Sequence, residues 1–227
     1  MTIRYTFVFD EESRLELAVE EGSDPSIEIP GESVPEWIEL EAFRCERCSL
    51  LPGSRRTCPA ALAIRPVVEA LEAHISFETV ETIVERDGVT LRATVSLQQA
   101  ARSLIGLLLP FSSCPVMRKL RPMAYFHLPL GDRLNTAFRF LGMYLIAQHV
   151  KQRDGRAPDW ELRGLLGLLD DVHMVNRLLS RRIRAASRKD ASINALVGLD
   201  VFANNVEWSI EDRLQELRPF FATLLEE

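Results

Sequence analysis

The sequence predicts an α+β fold: an N-terminal antiparallel sheet with a cysteine-rich loop and short helices, followed by an antiparallel helical bundle. Three observations predict it. IRYTFVF and SRLELAV read as strands joined across the polar DEE. Asp87-Gly88 separates two further β-rich segments, the signal of a primed two-residue hairpin turn. From Asp132 onward apolar residues recur three and four apart, as on the buried face of a helix.

The elements follow in order. After the first hairpin, SIEIP is expected to add a short strand, and Pro30 and Pro35 bound a turn-rich region. EWIELEAFRC reads as strand, with Trp37, Leu40 and Phe43 as core anchors. Pro59 suits a helix's first turn, where its missing N–H costs nothing. That helix offers Leu62, Val67, Val68 and Leu71 to a core, with Pro66 as a kink or divide. The Asp87-Gly88 hairpin comes next; Ser96 caps LQQAARSLIGLLL and Pro110 stops it. The remaining helices are Asp132–Arg153, Asp159–Ala186, Asp190–Val206 and Ile210–Leu224. Leu134, Phe138, Leu141 and Leu145 form one apolar series, and Leu162, Leu165, Leu169, Val172 and Val175 another. Short connections make neighbouring helices antiparallel. The sheet part spans residues 1–125 and the bundle 126–227. The join is rich in Met, Phe, Tyr and Leu, unlike a flexible linker, so both parts are expected in one compact body.

The 227 residues suffice for one substantial core. The opening has no basic start, apolar block and small-residue cleavage site, so no secretory signal is expected. Leu104–Phe111 is too short to cross a bilayer. A cytoplasmic location and no membrane partner follow as expectations. The net charge is −6 overall and −10 over residues 1–42, which leaves +4 for the rest. The acidic start disfavours nucleic acid. The run RRIRAASRK offers Arg181, Arg182, Arg184, Arg188 and Lys189 to an anion or a partner. It also reads as a solvated helix end, where cations suit the helix dipole.

The four cysteines are the sharpest signal. Cys45 and Cys48 have C-x2-C spacing, Cys58 follows the Pro52-Gly53 turn, and Cys114 lies beyond the second hairpin. A C-x2-C knuckle can direct two sulfurs at one ion, and thiolates suit tetrahedral zinc. Cys58 and Cys114 both precede proline, as at helix starts, where free N–H groups favour a thiolate. Nearby Arg44, Arg47, Arg55 and Arg56 can offset such charge. Zinc is the first cofactor indicated and one 4Fe-4S cluster the second. Free, buried or redox-active thiols are the third reading, because cysteine also behaves as a small core hydrophobe.

Other chemistry is sparser. His127 in RPMAYFHLP reads as a hydrogen-bonded histidine in a packed turn, or as a group that orients a ligand, replaces a cysteine on the metal or contacts a small molecule; Cys114, Arg121 and His127 together are the place for an enzyme site, if there is one. Asp170 and His173 share a helix side as an acid–base pair, or as part of a salt-bridging face. Asn176 follows His173 by three residues. No dinucleotide, P-loop or nucleophile-elbow motif occurs.

The segments CERCSLLPGSRRTCPAA, LIGLLLPFSSCPVM, RPMAYFHLP, MYLIAQH and NALVGLD together resemble an uncharacterised bacterial protein family, from about Glu39 to Phe202. The resemblance implies that these segments belong to one architecture. It supplies no activity, cofactor or catalytic residue.

The expected function is a cytoplasmic metal-binding protein with a structural zinc site on Cys45, Cys48, Cys58 and Cys114. Its helical part would serve a protein partner or a homodimer. The alternatives are an iron–sulfur electron-transfer or sensor protein, and an enzyme with its site near Cys114, Arg121 and His127.

Overall fold

Both hairpins form, and they merge into one four-stranded antiparallel sheet of order β2-β1-β3-β4. The computed structural model describes residues 2–72, 74–186 and 210–226. Strand β1 (Thr2–Val8) pairs with β2 (Arg14–Glu20) on one side and with β3 (Thr79–Arg86) on the other; β4 (Val89–Ser96) closes the second edge. The turn between β3 and β4 has φ of 53° at Asp87 and 79° at Gly88, the pair of positive angles that a type I′ turn requires.

One face of the sheet is buried and the other is wet. Ile3, Tyr5, Phe7, Val19, Val80 and Val84 point inward. On the outer face Arg4 bridges Glu16 at 2.8 Å and Glu85 at 3.7 Å, and Arg92 meets Glu81 at 3.6 Å. This alternation is the ordinary solution for an antiparallel sheet covered on one side. The covering layer is α1 (Pro59–Ala70) and α2 (Leu97–Phe111), whose inward residues Ala60, Ile64, Val67, Leu97, Leu104 and Ile105 are fully buried. Pro66 sits inside α1 without dividing it, and α2 runs one residue past Pro110.

Two expected strands are absent. SIEIP is irregular, and EWIELEAFRC begins as a single 3-10 turn at Glu36–Ile38. From there Glu39 makes an isolated bridge to Thr57, and Cys58 N–H donates to the Ile38 carbonyl at 2.7 Å. The turn buries Trp37 and Ile38 as neighbours, where a strand covered on one face would bury alternate residues.

The helical half contains α3 (Arg121–Tyr125), α4 (Arg133–Arg153), α5 (Arg163–Ala186) and α6 (Ile210–Leu217). Asp132 caps α4, accepting from Asn135 N–H at 2.7 Å. Asp159 was expected to open α5; its carboxylate instead accepts from the N–H groups of Arg163 and Gly164, with Tyr144 Oη donating at 2.7 Å. The expected helix to Leu224 changes type at Arg218–Phe221, where Pro219 lacks the N–H that the α-helix needs. The helix foreseen at Asp190–Val206 lies outside the described residues.

Helix α5 is the spine of the molecule. Leu162, Leu165, Leu169, Val172 and Val175 are all buried, as their spacing predicts. Val172, Val175, Leu179 and Ile183 join the core under the sheet; Leu165 and Leu169 join a second core with Phe140, Leu141 and Leu217. The α4 series is rotated from expectation: Ala137, Phe140, Leu141 and Gln148 are buried, whereas Phe138 is 50% exposed.

The acidic first segment is partly neutralised within the chain. Glu28, Glu32 and Glu21 meet Arg55, Arg65 and Arg86 at 3.4, 2.7 and 3.2 Å. Among the described residues no helix is long and apolar enough to cross a membrane.

Candidate functional site

The cysteines are gathered, but not as a metal centre. Cys48 N–H donates to the Cys45 carbonyl at 3.0 Å, forming the turn that C-x2-C spacing suggests. Cys58 caps α1 in an extended conformation, and Cys114 precedes the 3-10 turn Met117–Leu120. The thiols lie near enough to raise one another: burial first, then the neighbouring Cys58, Cys114 and Cys48, pushes Cys45 up to about 12. Burial pushes Cys114 up to about 11, against backbone N–H groups that favour its thiolate. The helix-start effect anticipated from Cys-Pro is thus outweighed by desolvation.

Among the described residues no group of three or more His, Cys, Asp or Glu side chains is arranged to hold a metal ion. The zinc site expected on Cys45, Cys48, Cys58 and Cys114, and the 4Fe-4S alternative, are corrected accordingly. The physical reason is burial. Cys58 and Cys114 belong to the apolar core at 7% exposure each, and Cys45 and Cys48 pack against it. All four are free thiols acting as compact hydrophobes. Because only the thiolate reacts, alkylation of Cys45 and Cys114 by iodoacetamide should be slow at pH 7 and accelerate towards pH 10. Fast labelling of either at pH 7 in the folded protein would contradict this assignment.

The basic run splits. Arg181 and Arg184 are exposed on α5, whereas Arg182 is 1% exposed and turned inward. Its guanidinium donates to the carbonyls of Trp37, Glu39, Leu40 and Phe43 at 2.8, 2.7, 3.2 and 2.6 Å. It also lies 5.5 Å from the Phe43 ring centroid. Arg182 is therefore a structural clamp on the segment leading to the cysteine loop, not a group available to an anion. Arg188 and Lys189 lie outside the described residues.

Asp170 and Arg121 are exposed, and His173 is half-buried. The ion pairs on this side are made by Asp171, with Arg47 at 3.4 Å and Lys119 at 3.9 Å. His127 is drawn elsewhere. Leu130 N–H donates to Ser103 Oγ at 2.9 Å, Ser103 lies 2.7 Å from Tyr5 Oη, and Tyr5 Oη lies 2.5 Å from His127 Nε2. One orientation satisfies the whole chain: Ser103 donates to Tyr5, and Tyr5 donates to His127. Burial, then the nearby Arg139 and Arg86, pushes His127 down to about 3, so the ring is neutral at pH 7. With Nε2 engaged by Tyr5, His127 is not placed as a base for Cys114.

His127 instead lines a cavity of about 220 Å³ where the two cores meet, walled by α2, the Met117–Leu120 turn, the α3–α4 connection, α4 and α5. Most of the wall is apolar, including Leu109, Met117, Met123, Phe140, Leu169 and Val172. Three arginines line the cavity, Arg102, Arg133 and Arg139, against one carboxylate, Asp132, which is occupied as the α4 cap. Burial lowers the pKa of both Arg102 and Arg139. Arg102 has no hydrogen-bond or ion-pair partner among the described residues. Arg139 donates to the Met123 carbonyl at 2.5 Å, but its buried Nε has no partner. Asn176, 2% exposed on α5, has an unpaired Oδ1. Each such buried polar atom costs roughly 1–3 kcal/mol while unsatisfied.

Sequence reasoning missed Arg102 and Arg139. The signal was present on α2: Gln99, Arg102, Ser103 and Gly106 line the cavity at steps of three, one and three, a polar stripe on an otherwise apolar helix. Reading the segment for its cap and stop obscured that stripe.

No curated protein and no solved structure matches the chain. A family model, the domain of unknown function DUF6901, matches residues 3–222, taking in the sheet, the cysteine loop and every wall of the cavity. The chain belongs to the DUF6901 family.

Proposed function

We propose that this domain binds a small organic anion with an apolar body in the cavity between α2, α4 and α5. The observation that carries the reading is the pair Arg102 and Arg139, two partly buried guanidinium groups at an apolar-walled cavity with no carboxylate paired to either. Unpaired buried cations are costly, and a carboxylate or phosphate supplied by a ligand relieves that cost by charge-assisted hydrogen bonds. Mostly apolar walls with a few converging polar groups are the usual make-up of a small-molecule site. Packing of the two expected parts, residues 1–125 and 126–227, as one body is part of this proposal; cavity walls drawn from α2 on one side and from α4 and α5 on the other support it.

Isothermal titration with octanoate and with octylamine tests the reading. Octanoate should bind saturably and octylamine should not. Arg102→Ala, which removes no hydrogen bond within the described residues, should weaken octanoate at least about tenfold with an unchanged melting temperature. Equal binding of both probes, or none by either up to about 10 mM, would sink the proposal.

This reading keeps a cytoplasmic setting, supported by four cysteines that remain thiols. Association with a protein partner or a second copy is a second reading, favoured by Phe138, Ile146 and Val150 at 50%, 67% and 51% exposure on α4. Sedimentation equilibrium tests self-association, and a strict monomer counts against the homodimer.

A further inference from the structure

We infer that the anion held in this cavity is a phosphate monoester of an aliphatic alcohol, bound as a dianion by Arg102, Arg133 and Arg139. The inference rests on the anion-binding reading above and adds the charge and the head group of the ligand.

The charge of the wall comes first. Three guanidinium groups line the cavity against one carboxylate, Asp132, which leaves two positive charges (three minus one). His127 adds none, because burial keeps its ring neutral at pH 7. A carboxylate ligand neutralises one of the two. A phosphate monoester carries about −1.5 to −2 at pH 7 and offers three strong acceptor oxygens, which matches both.

The cations share one region and can be reached. Gln99, Arg102, Ser103 and Gly106 face the cavity from α2. Arg133, Thr136, Arg139 and Phe140 face it from α4, at steps of three, three and one. Ser103, next to Arg102, accepts from Leu130 N–H at 2.9 Å, which holds the approach to α4 against α2. No nitrogen of the Arg102 side chain is enclosed or bonded among the described residues. Arg139 Nε is enclosed and takes no part; Nη2 donates to the Met123 carbonyl, which leaves Nη1 open. Arg133 is exposed. These open groups are donors, so the ligand must supply acceptors. Ser103 and Thr136 are already bonded within the chain, and His127 Nε2 is held by Tyr5.

Arg133 has no role in stability. It is the first residue of α4, where a cation opposes the helix dipole. Its side chain makes no hydrogen bond or ion pair among the described residues. A dianion gives this third guanidinium a partner. The apolar wall of Leu109, Met117, Leu169 and Val172 takes the alkyl chain, which separates an ester from inorganic phosphate.

Isothermal titration of octyl phosphate, octyl sulfate, octanoate and inorganic phosphate tests this. Octyl sulfate has three terminal oxygens but one charge, so it isolates the second charge. At pH 8 octyl phosphate should bind about tenfold or more tightly than octyl sulfate and octanoate, and inorganic phosphate should not bind up to about 10 mM. From pH 8 to pH 5 octyl phosphate should weaken about tenfold, because its second proton returns near pH 6, while octyl sulfate changes less than about twofold. Arg133→Ala should weaken octyl phosphate at least about fivefold and octanoate less than about twofold, with a melting temperature no lower than the parent's. If octyl phosphate binds no more tightly than octanoate, the inference is overturned and the anion site stands. Failure of every anion to bind removes both. Equal affinity for octyl phosphate and octyl sulfate overturns the dianion, and equal affinity for inorganic phosphate overturns the aliphatic ester. Should Arg133→Ala fail to fold, the comparison of probes on the wild-type chain decides without it.

Discussion

Arg182→Ala is expected to destabilise the protein by about 3–5 kcal/mol, the range for breaking a buried, fully hydrogen-bonded charge arrangement. The guanidinium makes four hydrogen bonds of 3.2 Å or less to the carbonyls of Trp37, Glu39, Leu40 and Phe43. Removing it strands those carbonyls around a hole in which the alternative partner is absent. The segment they belong to has no strand ladder to fall back on, because only Glu39 bridges another segment there. Arg182→Lys should recover less than half of the loss: an ammonium has three donors on a flexible stem and cannot span four carbonyls as a planar fork does. Urea unfolding of the three proteins decides. An alanine variant within about 1 kcal/mol of the parent would show that the clamp contributes little.

Acid should weaken the fold through His127. Its folded-state pKa is depressed from 6.5 to about 3, chiefly by burial. A depressed base contributes stability that is complete above its unfolded pKa and lost as pH falls towards the folded value, here from about 6.5 down to about 3. Between pH 7 and pH 4.5 the loss should be about 2 kcal/mol, given 1.36 kcal/mol per pH unit and partial relaxation of the site. Carboxylates contribute in the same direction, since Asp24 and Glu28 are held below their ordinary values. The readout is therefore the difference between the parent and His127→Gln, which retains an acceptor for Tyr5 but cannot titrate. The variant should show the shallower decline. Parallel curves for the two proteins would mean that His127 charges freely in the folded state.

The two hairpins and the buried face of α5 were legible because each rests on local chemistry: Asp87-Gly88 tolerates the positive φ of its turn, and Leu162 to Val175 keep helical spacing. The 36–43 segment was misread as strand because its carbonyls are satisfied by Arg182, about 140 residues away, and no local pattern reports a partner so distant. The cysteines were misread for a related reason. Spacing foretold the Cys45–Cys48 turn, but whether a thiol faces an ion or an apolar core depends on what packs over it, which spacing does not carry. His127 read either as a hydrogen-bonded histidine in a packed turn or as a ligand contact; its bond to Tyr5 and the gathering of Arg102 and Arg139 at one cavity arise only when the helices meet, which no local pattern reports.

The Arg182 clamp also sets an order of events during synthesis. The stretch around Trp37 emerges from the ribosome early, yet its carbonyls must wait until residue 182 of 227 has been made. Over that interval the segment before the cysteine loop lacks its guanidinium partner, and only contacts within the loop, such as Cys48 N–H to the Cys45 carbonyl, can form. Late closure by so remote a contact is slow for entropic reasons. The clamp thus closes only after every strand of the sheet has been made.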